Sequence, residues 1–450
     1  MNISFKEKLS YAMGDVASNF YWRVFDVFLF IFYTDIVGLS PAAVGTMMLV
    51  TRLIDAVTDP VMGAMADRTK TRWGKFRPYL LWGIIPLGAA GVLTFTIPDL
   101  DQDGKLIWAY GTYIFMMLSY TFINVPYGAL LGVISQDSQA RTSLSSFRFI
   151  GAFSGGTLVA FMTPELVKLL GNGDEALGWQ LTMAVYGLIA AVLFTITFLG
   201  CRERVVPIAE KTHSPWQDIR DLVGNKPWLV LFSLALIIML TITIRGSVGT
   251  FYFKYYVGRE DLIGAFTSAY LIALACGAAL TPVLTKWLDK RNLLIVLMGS
   301  VTVLSVVFYF VPSDNIPLIF TVQILIGLCL GPKSPLVFSM YADTADYSEL
   351  RTGRRSTAMV FAAAAFSQKL GGALAGASIG WVLTSAGYIA NTEQTAESIN
   401  GIVLLISIIP AVFALLSTLC ILLYSLTEQQ MENIHSELAK RREMGELSNG

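Results

Sequence analysis

Long apolar segments recur along this chain, and they reach the length that a helix needs to cross a bilayer. A helix of about twenty apolar residues spans the hydrocarbon core. We predict twelve such helices, at residues 12–35, 42–66, 79–98, 107–134, 144–168, 179–201, 228–253, 262–284, 292–312, 316–342, 355–385 and 400–424. Only 14% of the residues are charged, against about 25% in soluble domains. The sequence therefore predicts an all-α integral membrane protein, surrounded by lipid.

Basic residues collect in alternate polar segments between these helices. Of the 32 Lys and Arg residues, 22 fall on one predicted side of the membrane, 4 fall on the other and 6 lie within spans. The densest segment, 67–78, holds five of them. Cytoplasmic loops carry such an excess, so both termini are predicted to be cytoplasmic. The polar start leads directly into a full-length span, and we predict no cleavable signal peptide.

The longest internal polar segment divides the predicted helices into six and six. The predicted organisation is an N-terminal six-helix bundle at 1–201, a cytoplasmic linker at 202–227, a C-terminal six-helix bundle at 228–424 and a cytoplasmic tail at 425–450 that begins as a helix. Within the linker, Ser214 is expected to cap a short surface helix. A transporter built from two such halves places its site between them, near the bilayer midplane.

Catalytic and cofactor motifs are absent from the sequence. It has no Walker-type phosphate loop, its four cysteines match no metal or disulfide spacing, and its two histidines, His213 and His435, lie in polar segments. We therefore expect no enzyme activity, no cofactor, no metal beyond a monovalent cation and no nucleic-acid partner.

The most informative residues are charges inside apolar helices. Arg52, Asp55 and Asp59 occupy positions i, i+3 and i+7 of the second predicted helix, which places them on one face. A charge at bilayer depth costs about 2.5–3.5 kcal/mol on insertion scales, so it faces a partner or a water-filled cavity. Together with Thr58, the two carboxylates supply hard oxygen ligands for a small cation. For Arg52, a purely structural role is an equal alternative.

The other predicted spans carry polar residues in smaller numbers. In the first span, Asn19, Arg23 and Asp26 share a stripe that is expected to face a cavity, although Arg23 and Asp26 are also consistent with an internal ion pair. Asp15, near the cytoplasmic end, is interpreted as interfacial. The remaining candidates are Thr121, Asn124, Arg148, Arg245, Lys333, Gln368 and Lys369. Lys333 lies in G-P-K-S-P, which predicts a break in the tenth helix.

Four motifs resemble those of one transporter family. D-A-V-T-D-P at 55–60, D-R-T-K-T-R-W-G-K-F-R-P at 67–78, N-V-P-Y-G at 124–128 and D-T-A-D-Y at 343–347 are similar to sequences of the glycoside–pentoside–hexuronide:cation symporters, a branch of the major facilitator superfamily. The resemblance covers nearly the whole chain. It implies the major facilitator fold, with twelve transmembrane helices in two six-helix bundles, and symport of a small sugar with Na⁺ or H⁺ across a bacterial inner membrane. We expect a functional monomer.

The resemblance also implies roles for individual residues. Asp55 and Asp59 match the family's cation-site carboxylates, Thr121 matches a hydroxyl of the same site, and Thr58 stands where a melibiose-transporting member has asparagine. Among the candidate substrate-binding residues, Asn19 and Asn124 fall on two sugar-binding aspartates, and Arg148 aligns, after a one-residue gap, with an arginine near the sugar. Lys369 matches a lysine that links the two sites. Gly128 replaces a tryptophan that contacts sugar.

Two charged segments at cytoplasmic helix ends are predicted to form a gate. Bases of the 67–78 loop, Arg68 and Arg72, are expected to pair with acids of the 343–355 segment when the cytoplasmic side is closed. These acids are Asp343, Asp346 and Glu349. Such pairs contribute little individually when solvated, ~0–1 kcal/mol, so their effect would be on which conformation dominates.

The charge balance favours an anionic substrate, and a uronate is the expected one. In the cores of the spans, with Asp15 set aside, three acids (Asp26, Asp55 and Asp59) face six bases. A ligand carboxylate would compensate the surplus of positive charge. A neutral pentoside or β-glucoside is the alternative, and a lysolipid is a more distant one. A channel is disfavoured because the charges lie singly on different helices and form no repeated ring.

Overall fold

The structure is a computed structural model, and its described residues are 3–135, 138–204, 220, 222–352 and 357–443. They form helices and no strand. The helices up to residue 204 are α1 (Phe5–Val27), α2 (Pro41–Arg68), α3 (Arg77–Trp82), α4 (Ile84–Thr94), α5 (Gln102–Ile134), α6 (Ser138–Gly171) and α7 (Glu175–Gly200). Those that follow are α8 (Lys226–Phe251), α9 (Ile263–Leu284), α10 (Lys290–Tyr309), α11 (Ile316–Leu330), α12 (Lys333–Thr352), α13 (Thr357–Ser385), α14 (Ala396–Ile406), α15 (Ile408–Leu422) and α16 (Glu428–Glu443).

Each of the twelve predicted spans falls on one helix or on consecutive helices. Within the described ranges, nine helical stretches are long and apolar enough to cross a membrane. The other three predicted spans correspond to α1, to α3 with α4, and to α13. The third predicted span is divided at Gly83, where an added Cβ would lie 2.2 Å from Cγ1 of Ile123. The all-helical class is therefore confirmed, and twelve crossings stay a prediction.

Several helices begin earlier than hydropathy predicts because polar caps extend them beyond the apolar core. Ser4 accepts a hydrogen bond from the Glu7 backbone N–H at 3.2 Å and starts α1, and Asp101 accepts from the Gly104 N–H at 3.0 Å and starts α5. The predicted break in G-P-K-S-P is confirmed between α11 and α12, and the predicted tail helix is α16. The linker helix capped by Ser214 lies outside the described residues.

The ends of α1 and α8 share an unusual geometry. After Phe28 and one helical turn at Leu29–Ile31, α1 continues as a π-helix at Phe32–Ile36, and α8 continues as a π-helix at Tyr252–Val257. Each π-helix is followed within two residues by a left-handed glycine, Gly38 (φ +82°) or Gly258 (φ +72°). Short π-helical segments often occur at functional sites, and these two carry polar residues described below.

Two compact units make up the chain. Unit 1 comprises Met1–Ile208, Gly246–Leu271 and Gly376–Ile402, and unit 2 comprises Ala209–Arg245, Ile272–Ala375 and Val403–Gly450. Each unit combines segments that are distant in sequence, and the division falls inside α8, α9, α13 and α14. The predicted domain boundary at 202–227 stays a prediction.

In unit 1, α1 packs closely against α6 and α7. Small residues of α6 allow this approach, since a Cβ added at Gly151 would lie 2.9 Å from the Ala12 carbonyl oxygen. Further along α6, a Cβ added at Gly156 would lie 3.3 Å from Nε of Arg23 and 3.4 Å from Oδ1 of Asn19. The same packing therefore holds the polar stripe of α1 against α6.

The basic 67–78 loop is anchored by an acid that follows α7. The Glu203 carboxylate accepts hydrogen bonds from the backbone N–H groups of Lys75 (2.8 Å), Phe76 (2.8 Å) and Arg77 (2.9 Å) at the start of α3. Gly74 has φ +112°, and a Cβ there would lie 2.5 Å from Glu203 Cδ. A helix start leaves N–H groups without partners inside the helix and favours a negative charge, so Glu203 stabilises this turn.

We predict that Glu203→Ala lowers the free energy of unfolding by about 1–3 kcal/mol, because three N–H donors lose a charged acceptor. The unfolding temperature of the purified protein in detergent measures the change. Glu393→Ala is the matched control, since Glu393 is exposed in a loop and surface substitutions of this kind change stability by about 0.5 kcal/mol or less. Equal unfolding temperatures for both variants would contradict the anchoring role.

Candidate functional site

Two helices of unit 1 bring the predicted cation-site residues together. The Thr121 hydroxyl on α5 lies 2.7 Å from Oδ1 of Asp55 and 3.0 Å from Oδ1 of Asp59, both on α2. Asp55 and Thr121 are buried, whereas Asp59 is half-buried. Because one hydroxyl contacts both carboxylates, oxygens from three side chains converge at one place inside the helix bundle.

Thr58 is oriented differently from Thr121. Its hydroxyl donates to the Asp55 backbone carbonyl at 3.2 Å, which is a hydrogen bond within α2. Thr121 therefore contacts both carboxylates directly, and Thr58 contacts the backbone that carries one of them. The pattern of α2 alone indicated Asp55, Thr58 and Asp59. Thr121 was expected only from the family resemblance, and it reaches these acids from a position 66 residues after Asp55.

The polar stripe of α1 contains an ion pair. Arg23 Nη1 donates to Asp26 Oδ2 at 2.9 Å, and both side chains are about one-fifth exposed. The Ser247 hydroxyl also donates to the Asp26 backbone oxygen at 2.7 Å. Arg23 and Asp26 were expected either to face a cavity or to form an internal ion pair, and the structure contains the ion pair. A substrate contact by either side chain stays a prediction.

Asp15 is buried and paired inside unit 1, and its position at the membrane interface stays a prediction. Its Oδ2 accepts a hydrogen bond from Nε of Arg148 at 2.9 Å, and only 12% of the Asp15 side chain is exposed. The Arg148 guanidinium also lies 5.2 Å from the centre of the Tyr127 ring, whose hydroxyl donates to the Tyr11 carbonyl. Arg148 was predicted to bind substrate, and in the structure its charge is compensated by Asp15.

The two asparagines expected at the sugar site have different surroundings. Asn19 Nδ2 donates to the Asp15 backbone oxygen at 2.9 Å. Asn124 Oδ1 is buried and has no hydrogen-bond partner among the described residues. A Cβ added at Gly128 would meet nothing within 4 Å. Gly128 therefore has open space beside it, on the same helix as Asn124.

Arg245 of unit 2 is directed into the helix packing. It is 1% exposed, donates to the Ile406 carbonyl and to Gln323 Oε1, and lies 5.0 Å from the centre of the Phe308 ring. Ile406 is four residues before Pro410, which has no N–H to donate to that carbonyl. At the end of α14, the Arg245 guanidinium thus donates to the Ile406 carbonyl in place of the N–H that Pro410 lacks. These contacts account for its position without a substrate.

The other predicted substrate residues of unit 2 lie on α12 and α13. Lys333 Nζ is 3.9 Å from Sδ of Met239, and Gln368 and Lys369 are half-buried. The nine candidates therefore divide between the two units. Unit 1 holds Asn19, Arg23, Asp26, Asn124 and Arg148, and unit 2 holds Arg245, Lys333, Gln368 and Lys369.

The predicted gate residues lie in different units of this structure. Arg68 is exposed, and the Arg72 guanidinium lies 4.8 Å from the centre of the Trp73 ring. Asp343 accepts from Nζ of Lys290 at 2.7 Å within unit 2. Asp346 and Glu349 lie on α12 with Asp343. The predicted bases belong to unit 1 and the acids to unit 2, and their pairing stays a prediction.

A further buried acid, Asp35, was not among the residues predicted from the sequence. Its side chain is 1% exposed and accepts from Lys254 Nζ at 2.8 Å and from the hydroxyls of Tyr255 and Tyr388. Asn391 accepts from Lys254 at 2.8 Å and donates to the Asp35 backbone oxygen. The cluster joins the π-helices after α1 and α8 to the turn before α14. Asp35 is the last residue of the predicted span 12–35, and nothing in the local sequence indicated that it would be buried in a polar cluster.

A family model described as MFS/sugar transport protein matches residues 10–428. The chain belongs to this family. It is therefore a member of a family of membrane transporters, which are not enzymes, and the major facilitator fold class predicted from the motifs is confirmed. A putative glycoside/cation symporter, YagG of Escherichia coli (strain K12), is 36% identical over 98% of this chain and 96% of its own.

Other relatives carry more specific names. The isoprimeverose transporter of Lactiplantibacillus pentosus is 34% identical over 94% of this chain and 89% of its own. The glucuronide carrier protein homolog of Escherichia coli (strain K12) is 31% identical over 98% and 97%. Among solved structures, the nucleoside transporter NupG has a TM-score of 0.62 and covers 95% of this chain and 100% of its own. At 12% identity, it supports the fold alone.

We predict that Asp15→Asn destabilises this transporter by about 2 kcal/mol or more, because a half-buried guanidinium loses its acid. The double variant Asp15→Asn with Arg148→Gln is expected to recover part of the loss, since both charges are then absent. The unfolding temperatures of the three proteins measure the coupling. Arg259→Gln with Asp261→Asn, an exposed pair, is the control and should leave the temperature unchanged. Additive losses in the double variant would contradict the pairing.

Proposed function

We propose that the chain is a secondary active symporter that couples the entry of Na⁺ or H⁺ to the uptake of a sugar or glycoside. The observation that carries the proposal is the convergence of Asp55, Asp59 and Thr121 inside the helix bundle. Membership of the sugar transport family and the name of its relative, the putative glycoside/cation symporter YagG, support it. The membrane is proposed to be a bacterial inner membrane, with both termini cytoplasmic.

The proposed coupling follows from electrostatics. Two carboxylates one helical turn apart repel each other in a medium of low dielectric constant, and a bound cation or proton relieves that repulsion. The oxygens of Asp55, Asp59 and Thr121 are hard ligands suited to Na⁺. A bound cation changes the electrostatic potential at the neighbouring sugar site and so raises the affinity for substrate. Bound substrate must then raise the affinity for the cation by the same factor.

The substrate class is the finer part of the proposal, and we propose a uronate-containing saccharide. The surplus of positive charge is smaller than the sequence implied, because Asp15 adds an acid and Arg148 and Arg23 are paired. The names of the relatives point both ways, since isoprimeverose is neutral and a glucuronide is anionic. A neutral pentoside or β-glucoside is therefore the alternative. The choice of an anionic substrate rests on Arg52, which forms no ion pair with any described carboxylate.

Alternating access is proposed to use the charged segments at the cytoplasmic helix ends. Arg68 and Arg72 would pair with Asp343, Asp346 or Glu349 when the cytoplasmic side closes. Asp343 would then exchange Lys290, its present partner, for a base of the 67–78 loop. Glu203 supports such a role, because its hydrogen bonds hold this loop at the start of α3.

The decisive experiment is concentrative uptake of labelled glycosides by cells that express the chain, with a Na⁺ gradient and with a proton gradient imposed separately. Asp55→Cys and Asp59→Cys are expected to abolish uphill uptake and to leave downhill exchange. Asp314→Cys, in a loop outside the helices, is the matched control and should accumulate substrate normally. Full accumulation by the Asp55/Asp59 double variant, or uptake of labelled lysolipid in place of sugars, would refute the proposal.

Thr121 offers a finer test of the same site. Thr121→Ser keeps the hydroxyl that contacts both carboxylates and is expected to retain the wild-type cation affinity. Thr121→Val replaces it by a methyl group of similar size, and the half-saturating cation concentration should rise about tenfold, the effect of about one hydrogen bond to a charged group. Equal cation affinities for the two variants would show that the hydroxyl takes no part.

A further inference from the structure

Several bases in the predicted spans have a compensating partner in the structure. Arg23 pairs with Asp26 and Arg148 pairs with Asp15. Arg245 contacts a freed carbonyl, an amide oxygen and an aromatic ring. A substrate carboxylate would have to compete with these partners. Among the described residues of unit 1, the span base that remains is Arg52, to which the sequence analysis gave a structural role as an equal alternative.

Arg52 lies against an aromatic wall. Its guanidinium carbon is 4.4 Å from the centre of the Trp22 ring, and the Trp22 and Tyr120 rings are 5.6 Å apart with planes inclined by 31°. All three side chains are half-buried. A guanidinium held over an indole gains about 0.5–2 kcal/mol from the cation–π interaction, which orients it without neutralising its charge.

The Arg52 guanidinium also has hydrogen-bonding capacity to spare. Its Nη1 is buried and has no hydrogen-bond partner among the described residues, and no described carboxylate forms an ion pair with it. Leaving a buried donor unsatisfied is costly, and the natural partner of the planar N–H edge is a carboxylate bound through both oxygens. The position therefore calls for an anion.

The surroundings suit a sugar that carries this anion. Asn124 Oδ1, on the same helix as Tyr120, is a buried acceptor with no partner in the described part of the chain, and it can accept from a sugar hydroxyl. Aromatic rings offer apolar surface to the C–H face of a pyranose. A uronate carries its carboxylate at the edge of the ring, so one ligand can contact Trp22 or Tyr120 with its face and Arg52 with its edge.

We propose that Arg52 is the specificity-determining residue of the sugar site and binds the carboxylate of a uronate-containing saccharide. The proposal rests on the proposed sugar–cation symport and names its substrate class. Arg52 precedes Asp55 by three residues on one face of α2. A cation at Asp55 and Asp59 lowers the repulsion between these acids and the arriving carboxylate. Binding of a uronide therefore depends more steeply on the cation than binding of the matching neutral glycoside.

The test compares two ligands that differ only at one carbon, methyl β-D-glucuronide and methyl β-D-glucoside. Each competes with a labelled glycoside for uptake by cells that express the wild type, Arg52→Gln, Arg52→Lys or the exposed-charge control Arg259→Gln. For the wild type and the control, we expect the glucuronide to compete at a concentration at least about tenfold lower than the glucoside. For Arg52→Gln, the competing concentration of the glucuronide should rise about tenfold or more. That of the glucoside should change less than about threefold.

Arg52→Lys keeps the charge and loses the two-point geometry, so we expect an intermediate loss that is again confined to the glucuronide. This variant carries the test if Arg52→Gln does not fold. If either variant weakens competition by both ligands equally, or if the glucoside competes better than the glucuronide for the wild type, Arg52 does not bind the carboxylate.

Thermal stabilisation of the purified wild type by each ligand, with and without the cation, keeps this inference separate from the proposed function. Stabilisation by the glucuronide that increases with the cation supports the inference. Stabilisation by the glucoside alone overturns it and leaves sugar–cation symport intact. Failure of symport itself is recognised by a different result, namely the absence of cation-driven accumulation of any glycoside.

Discussion

A charge inside an apolar helix bundle requires compensation, and this requirement explains the arrangement of the polar residues in both compact units. In unit 1, Arg23 is compensated by Asp26, Arg148 by Asp15 and Asp35 by Lys254 with two tyrosine hydroxyls. In unit 2, Arg245 is compensated by neutral acceptors and an aromatic ring. Desolvation makes each of these contacts costly to break, so the pairs behave as fixed parts of the scaffold.

The same requirement distinguishes scaffold from site. Asp55 and Asp59 share the Thr121 hydroxyl, and two neighbouring acids are the natural place for a mobile positive charge. Arg52 is held on Trp22 by a contact that leaves its charge in place. In the proposed mechanism, a transported ligand exchanges with groups of this kind because it carries the opposite charge. It cannot exchange easily with a closed ion pair such as that of Asp15 and Arg148.

Backbone irregularities place several of these groups. Pro410 removes the hydrogen bond to the Ile406 carbonyl, and Arg245 replaces it from another helix. The π-helices after α1 and α8 carry Asp35, Lys254 and Tyr255 into one cluster. Glu203 satisfies the first N–H groups of α3 and so holds the basic loop. Each case pairs a local break in regular structure with a side chain that is distant in sequence.

Local properties of the sequence determined the helical class, the break in G-P-K-S-P, and the shared polar face of Arg52, Asp55 and Asp59, because hydropathy and helical periodicity depend on neighbouring residues alone. The same information correctly suggested an ion pair between Arg23 and Asp26, three residues apart. Local patterns gave no partner on a different helix; the family resemblance suggested Thr121, and the tertiary structure decided the others. Asp15 and Arg148 are 133 residues apart, and Asp55 and Thr121 are 66 apart. Long-range packing decides whether a charged side chain in a transmembrane helix is neutralised by a protein partner or can bind a ligand. No local sequence pattern encodes this packing.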